Sequence, residues 1–254
     1  MSEEEKRNVP NIPKDQLTPP LPKRFYTDVS VGEGADGGFQ ILLDGRPVRT
    51  PKKQLLTVPT RALAEAIAAE WAAQEAHIDP SKMPLSKLAI TSIDGVTGSM
   101  REVASDIVRY AGSDLLCYRA EGPAGLAELQ GSTWDPLLGW IEAESGARFL
   151  LAEGVMPVTQ NRYALERIAD LVAPYDAMQL AALHTMTTLT GSAFLALAVA
   201  KDRLSAEDAW DAAHVDEDWQ IARWGADVEA AERRARRRAE MLSADRFLKL
   251  LAAA

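Results

Sequence analysis

Glu217 is the residue whose surroundings ask for chemistry. It lies in an acidic run, Asp216, Glu217 and Asp218, with an imidazole, His214, three residues before it. On a helix, side chains three or four positions apart are neighbours, so His214 with Glu217 or Asp218 makes an acid–base pair. Such a pair becomes catalytic beside an activated nucleophile. The chain has no G-x-S-x-G elbow and no second cluster of this kind, so a local salt bridge is the simpler reading. The other histidines, His77 and His184, stand at no metal-ligand spacing, and Cys117 is the single cysteine, which leaves no metal set. Gly32, Gly34 and Gly37 spell G-x-G-x-x-G. That fingerprint works only where a helix follows and turns its N-terminus to a pyrophosphate. Here FQILLD follows, which reads as a strand, so the glycines are expected to form a hairpin loop. No G-x-x-x-x-G-K-[ST] occurs. Arg233, Arg234, Arg236, Arg237 and Arg238 have the look of a nucleic-acid patch. Yet Glu229 and Glu232 stand four residues before Arg233 and Arg236, and Ala231, Ala235 and Ala239 offer an inner stripe. A solvated helix face is therefore expected.

The element that must carry Glu217 is residues 205–225, which read as one helix. Ser205 is a good N-cap with Asp208 three positions on, and Gly225 is a stop. At helical spacing Trp210, His214, Glu217, Ile221 and Trp224 share one stripe. Ala212, Val215, Trp219 and Ala222 share the opposite side, and Asp211 and Asp218 lie on a flank between them. A helix apolar on two faces needs neighbours on two faces. Glu217 is then either paired inside a bundle or at the edge of a part-exposed tryptophan surface.

The rest of the chain supplies those neighbours. Residues 1–22, with five prolines among charges, read as a flexible tail. Residues 24–31 alternate as a strand, and FQILLD is a second. Asp44-Gly45 makes a tight turn into a third strand at 46–50, and 55–58 is a fourth. A helix follows over 60–77, capped by Thr60, with Leu63, Ile67, Trp71 and Gln74 on its stripe. Trp71 is expected to pack that helix on the sheet. Residues 97–111 are helical, and 114–118 have strand character around a buried Cys117. Beyond 125 the pattern is helical, with one possible strand at 148–152. Trp134, Leu138 and Ile141 share a face, as do Leu137 and Trp140. Two buried helices meet near 190–192, and a docking helix closes the chain at Phe247 to Leu251. This predicts a mixed α+β domain at 23–125, an antiparallel sheet with helices, followed by an all-α helical domain at 126–254.

Composition limits the partners. The chain has 254 residues, 47% of them hydrophobic, enough for a sizeable core. A net charge of −9 argues against general affinity for nucleic acid or anionic membranes. The first residues, MSEEEKR, are acidic and lack an apolar core, so neither a signal nor a transit peptide is expected there. A lone cysteine fits a reducing compartment.

Three stretches carry a resemblance. RFYTDVSV, then ILLDGRPVRTP, then LAEAIAAEWAAQ with IDPSKMPLSKLAITSID, resemble the first half of the F-type ATP synthase assembly chaperones that bind the alpha subunit. DLLCYRA, the Trp134-Asp135-Pro136-Leu137 segment with Trp140, and VDEDWQIARWG resemble the second half. The resemblance runs from about Arg24 to the C-terminus. It implies an N-terminal mixed α/β layer, a C-terminal orthogonal helical bundle, no catalysis and no cofactor. It implies a protein, monomeric when free, that holds the ATP synthase alpha subunit before beta subunits join it. The compartment implied is bacterial cytoplasm, or the mitochondrial matrix in a eukaryote. The family's run of acids, an aromatic and Gln corresponds to Asp216, Glu217, Asp218, Trp219 and Gln220, and Glu217 is the acid expected to function. Trp210 and Trp224 flank it as further partner-binding residues. Trp71, matching the family's Glu-Trp pair, is expected to be structural, with Trp134 and Asp135. The sequence departs from the pattern after Gly225, where a family His-Asp pair is replaced by residues near Glu232-Arg233. Two other classes compete: a nucleotide-dependent enzyme using the 32–38 glycine loop, and a nucleic-acid binder using Arg233 to Arg238.

Overall fold

A computed structural model describes residues 20–154 and 156–253. The expected tail at 1–22 falls almost wholly outside them. The first strands, β1 (Val29–Glu33) and β2 (Phe39–Leu43), pair antiparallel in the register Val29 with Leu43 and Glu33 with Phe39. The glycine loop is the connection between them. Asp44 and Gly45 both take positive φ, the geometry of a two-residue hairpin turn, and lead into β3 (Arg46–Pro47). β4 (Thr57–Val58) returns to pair with the start of β2, so β2 is the central strand. α1 (Arg61–Ala72) lies on this sheet and seats Leu63 and Ile67 in the core. The Thr60 hydroxyl accepts from Leu63 N–H as its cap. α1 stops before the expected 77, because the Gln74 side chain donates to Glu70 O and accepts from Asp79 N–H, which turns the chain.

α2 (Pro84–Thr91) begins under Glu70, whose carboxylate accepts from Leu85 N–H, Ser86 N–H and the Ser86 hydroxyl. A widened turn at Ser92–Val96 leads to α3 (Met100–Ala111). The expected strand at 114–118 is mostly a 3-10 turn over Leu115–Cys117. Asp114 accepts from Leu116 N–H and closes that turn, which leaves only β5 (Tyr118–Arg119) extended. Cys117 is fully buried, and burial pushes its thiol up to about 12, which keeps it unreactive.

α4 (Ala124–Ser145) carries Trp134, Leu137, Leu138 and Ile141 inward. β6 (Ala152–Glu153) pairs parallel with β5. α5 (Arg162–Val172) follows, then α6 (Ala177–Thr190) and α7 (Ala193–Ala200), which meet at Gly191 as expected. The expected single helix at 205–225 is two, α8 (Ala206–Ala213) and α9 (Val215–Trp224). His214 breaks it: its Nδ1–H donates to Trp210 O at 2.7 Å, and its backbone leaves the helical region. α10 (Val228–Ala252) is continuous, where two segments were expected. Its second half packs on α6, α2, α8 and α1, and Leu250 O accepts from the Thr60 hydroxyl at 2.7 Å. The chain is thus a small antiparallel sheet with helices followed by many helices, as the sequence predicts. The last helix ties the two parts through one connected core.

Trp71 sits at the margin of that core, half-buried. Its ring packs 5.8 Å from the Tyr26 ring, and its carbonyl accepts from the Tyr26 hydroxyl at 2.8 Å. Trp71→Arg would bring a charge to this contact and break the packing of the Tyr26 segment on α1. The expected loss is roughly 3 kcal/mol, the low end for a truncated Trp because the ring is part-exposed. Thermal melting followed by circular dichroism reads it, and an unchanged melting temperature would contradict the packing role.

Candidate docking cleft

The break at His214 sets the geometry of the site. The imidazole stacks on the Trp210 indole with ring centres 3.8 Å apart. A carbonyl can only accept, so the bond to Trp210 O places the proton on Nδ1 and leaves Nε2 bare. Nε2 lies 4.0 Å from a Glu217 carboxylate oxygen. Burial holds His214 below the ordinary histidine value, with Arg234 and Arg237 pushing the same way. A neutral imidazole at that distance does not neutralise Glu217. The Glu217 side chain is 43% exposed, so it lies at a rim and not in a dry core.

Glu217 faces a cleft of about 690 Å³ between α8–α9 and the first half of α10. Trp210, Ile221 and Trp224 give it an apolar wall, and Ala230, Ala231 and Ala235 give the wall opposite. Trp210 contributes only an edge, being 1% exposed, whereas Trp224 is 77% exposed. Gln220 also lines the cleft. Arg234 reaches across from α10 and pairs with Asp218. The first half of α10 leans away from the body. Ala231, Ala235 and Ala239 are therefore exposed, and the expected inner stripe of alanines is not formed there. Of the arginines, Arg234 closes on Asp218, Arg236 on Glu232 at 3.9 Å, and Arg237 donates to Leu189 O.

Two of the expected contact residues face the other way. Asp216 accepts from the Nε2–H of the buried Gln130 at 2.6 Å, while Gln130 Oε1 accepts from Ala120 N–H at 2.8 Å. Asp216 thus ties α9 to α4 and to the end of β5. Trp219 lies over Gly125 at the start of α4, where an added Cβ would stand 2.8 Å from the indole, and the Arg223 guanidinium covers it at 3.4 Å from the ring centre. Trp134 is buried, donates from Nε1 to Ala212 O at 2.8 Å, and so anchors the end of α8. Asp135 pairs with Arg119 at 2.9 Å, and that guanidinium stacks over Trp134. The cleft therefore brings together Trp210, Glu217, Ile221 and Trp224 from the stripe and Gln220 from the run that the resemblance singled out. The stripe misses Arg234 and Arg238, which come from α10. Their i,i+4 spacing was the available signal.

The glycine loop builds no nucleotide site. β2 follows it, so the helix that the fingerprint needs directly after its glycines is not there. Among the described residues no group of acids, histidines and cysteine is arranged to hold a metal ion, and no helix is long and apolar enough to cross a membrane.

Known proteins match this arrangement over most of its length. The model of the ATP12 chaperone protein family matches residues 23–142. The structure of Atp12 from Paracoccus denitrificans is 41% identical with a TM-score of 0.85, over 91% of this chain and 98% of that one. The Agrobacterium tumefaciens protein Atu1473 is 49% identical with a TM-score of 0.86, over 93% and 88%. The mitochondrial protein atp12 of Schizosaccharomyces pombe is 25% identical over 229 residues, 84% of this chain and 78% of its own length. The class these matches define is a chaperone. The chain belongs to the ATP12 chaperone family, whose members serve ATP synthase assembly.

Proposed function

We propose that this chain holds the free alpha subunit of F-type ATP synthase and covers its subunit interface until beta subunits take its place. The observation that carries the reading is the cleft. It pairs the most exposed tryptophan among the described residues, Trp224, with Glu217, a part-exposed acid whose ion-pair contact among the described residues is the 4.0 Å approach to a neutral imidazole. Aromatic area gives binding energy, and an uncompensated charge gives orientation. A ring subunit kept alone exposes an apolar interface and aggregates. A binder that covers that interface and is later displaced needs no catalysis and no cofactor. The setting would be the cytoplasm of a bacterium or the mitochondrial matrix of a eukaryote, and the free chaperone would be a monomer.

The test is size-exclusion chromatography with light scattering on the chain mixed with alpha subunit, beta subunit and assembled ring in turn. A complex with free alpha alone is expected. A stable complex with beta alone, or with the finished ring, would sink the proposal.

A further inference from the structure

The cleft at Glu217 has a neighbour. On the other side of α8 and α9, against α4, lies a second hollow of about 500 Å³ with Leu129, Pro136, Leu137, Leu204 and Val215 in its walls. Leu129 is 39% exposed there although it is a large apolar residue. The two hollows share a boundary, because Asp211 and Asp218 line both. Asp218 is taken by Arg234, and Asp208, at the end of the second hollow, accepts from the Ser205 hydroxyl. Asp211 is exposed and has no hydrogen bond or ion pair from its side chain to any described residue.

We propose that the two hollows form one docking track, and that it takes a partner segment in which a lysine or arginine stands between two apolar side chains. This rests on the proposed function and names the chemistry of the alpha-subunit segment that the chaperone grips. The apolar side chains fill the hollows at Trp224–Ile221 and at Leu129–Leu137. The cation between them meets Asp211, with Glu217 next to it in the first hollow. The charge balance selects the sign. Five carboxylates line the two hollows against three guanidiniums, on a chain of net charge −9. Arg234 already pairs with Asp218 on the boundary of the two hollows, so this chain itself shows that a guanidinium suits the spot. An acidic segment would be repelled along the same track, and its like-charge cost would fall on the association rate first.

Helical spacing puts Asp211 and Asp218 on one flank of the stripe and by itself gives them no role. What makes Asp211 a contact is α4, which supplies the far wall of the second hollow.

The experiment measures the affinity of purified free alpha subunit for the full chain and for Asp211→Lys, Asp211→Asn and Leu129→Glu, with a melting curve for each. Asp211→Lys and Leu129→Glu are expected to weaken binding at least tenfold at unchanged melting temperature, and Asp211→Asn to weaken it less. Added salt should weaken the full chain more than it weakens Asp211→Asn. If Leu129→Glu melts early, a photo-crosslinking residue at position 129 replaces it, and capture of alpha subunit from that position is expected. Wild-type affinity in Asp211→Lys, or no capture from position 129, with binding still lost in Glu217→Lys, would confine docking to the first cleft and overturn the track. An unmodified chain that binds no alpha subunit would instead withdraw the partner itself, and the track with it.

Discussion

Replacing Asp114 by alanine is expected to remove roughly 4 kcal/mol of stability and to lower the melting temperature by about 10 °C. Asp114 is wholly buried where the turn after α3 meets the start of α7. Its Oδ1 accepts from Leu116 N–H at 3.1 Å and from the Ser192 hydroxyl at 2.6 Å, and its Oδ2 accepts from Phe194 N–H at 3.1 Å. Ser192 in turn accepts from Leu195 N–H, so one carboxylate and one hydroxyl satisfy the open end of α7. Alanine leaves these donors buried without acceptors, at about 1–3 kcal/mol each before any water enters. Asparagine should cost less. Its carbonyl still serves Leu116 and Ser192, but its amide N–H groups face the Phe194 N–H. Against a total stability of about 5–15 kcal/mol the alanine variant sits near the limit of folding.

The same carboxyl makes stability depend on pH. Burial pushes Asp114 up to about 7, against the hydrogen bonds that pull it down. An unfolded aspartate loses its proton near 3.9. Between about 4 and 7 the folded chain therefore binds the extra proton, and the contribution of Asp114 declines as pH rises through that window. Asp114→Asn should flatten this part of the profile. Urea unfolding across the window reads both effects, and a slope unchanged in the variant would remove Asp114 as its source.

Asp114 also shows where sequence reading stops. The carboxylate was visible, but the residues that bind it lie 78 and 80 positions away. Local signals fared better. The hairpin was legible because FQILLD follows the glycines and because Asp44-Gly45 is a turn dipeptide. The caps at Thr60 and Ser205 were legible because a hydroxyl before an apolar stripe has a direct use there. The break at His214 was not. Nothing in helical spacing tells that an imidazole will take the carbonyl four residues back. The break keeps Trp210, Glu217 and Trp224 on one wall all the same, so the contact stripe was readable although the element was not. The opposite wall was out of reach. The alanines of α10 gave an amphipathic pattern with an inner side, yet the first half of that helix has little beneath it except the cleft. Asp216 and Trp219 were grouped with Glu217 by the resemblance to the family's run, whereas helical spacing already set Trp219 on the side opposite the stripe.

Glu217→Lys is the second large effect, and it falls on binding. The side chain lies between the Trp210 edge and the exposed Trp224 ring, 4.0 Å from a neutral imidazole. Reversal puts a cation beside Arg234 in the cleft that we propose takes a basic segment. Loss of a favourable charge contact and gain of a repulsive one together are worth roughly 2–5 kcal/mol at a desolvated interface, a drop of about 30-fold or more in affinity. Glu217→Gln keeps the shape and a hydrogen-bonding carbonyl, so its loss should be smaller. The fold should survive both changes, because Glu217 is part-exposed and carries no buried partner that would be orphaned. Trp224→Ala should lower affinity without changing how it depends on salt, since it removes area and no charge.

The most direct measurement is the paired one: calorimetric affinity for free alpha subunit and melting temperature, for the unmodified chain and Glu217→Lys side by side. The account predicts tight binding by the unmodified chain, lost binding in the variant, and melting curves that coincide within about 1 °C, since part-exposed substitutions of this kind change stability by only about 0.5 kcal/mol. Unimpaired binding by Glu217→Lys, or a fall in melting temperature large enough to explain the lost binding, would contradict it.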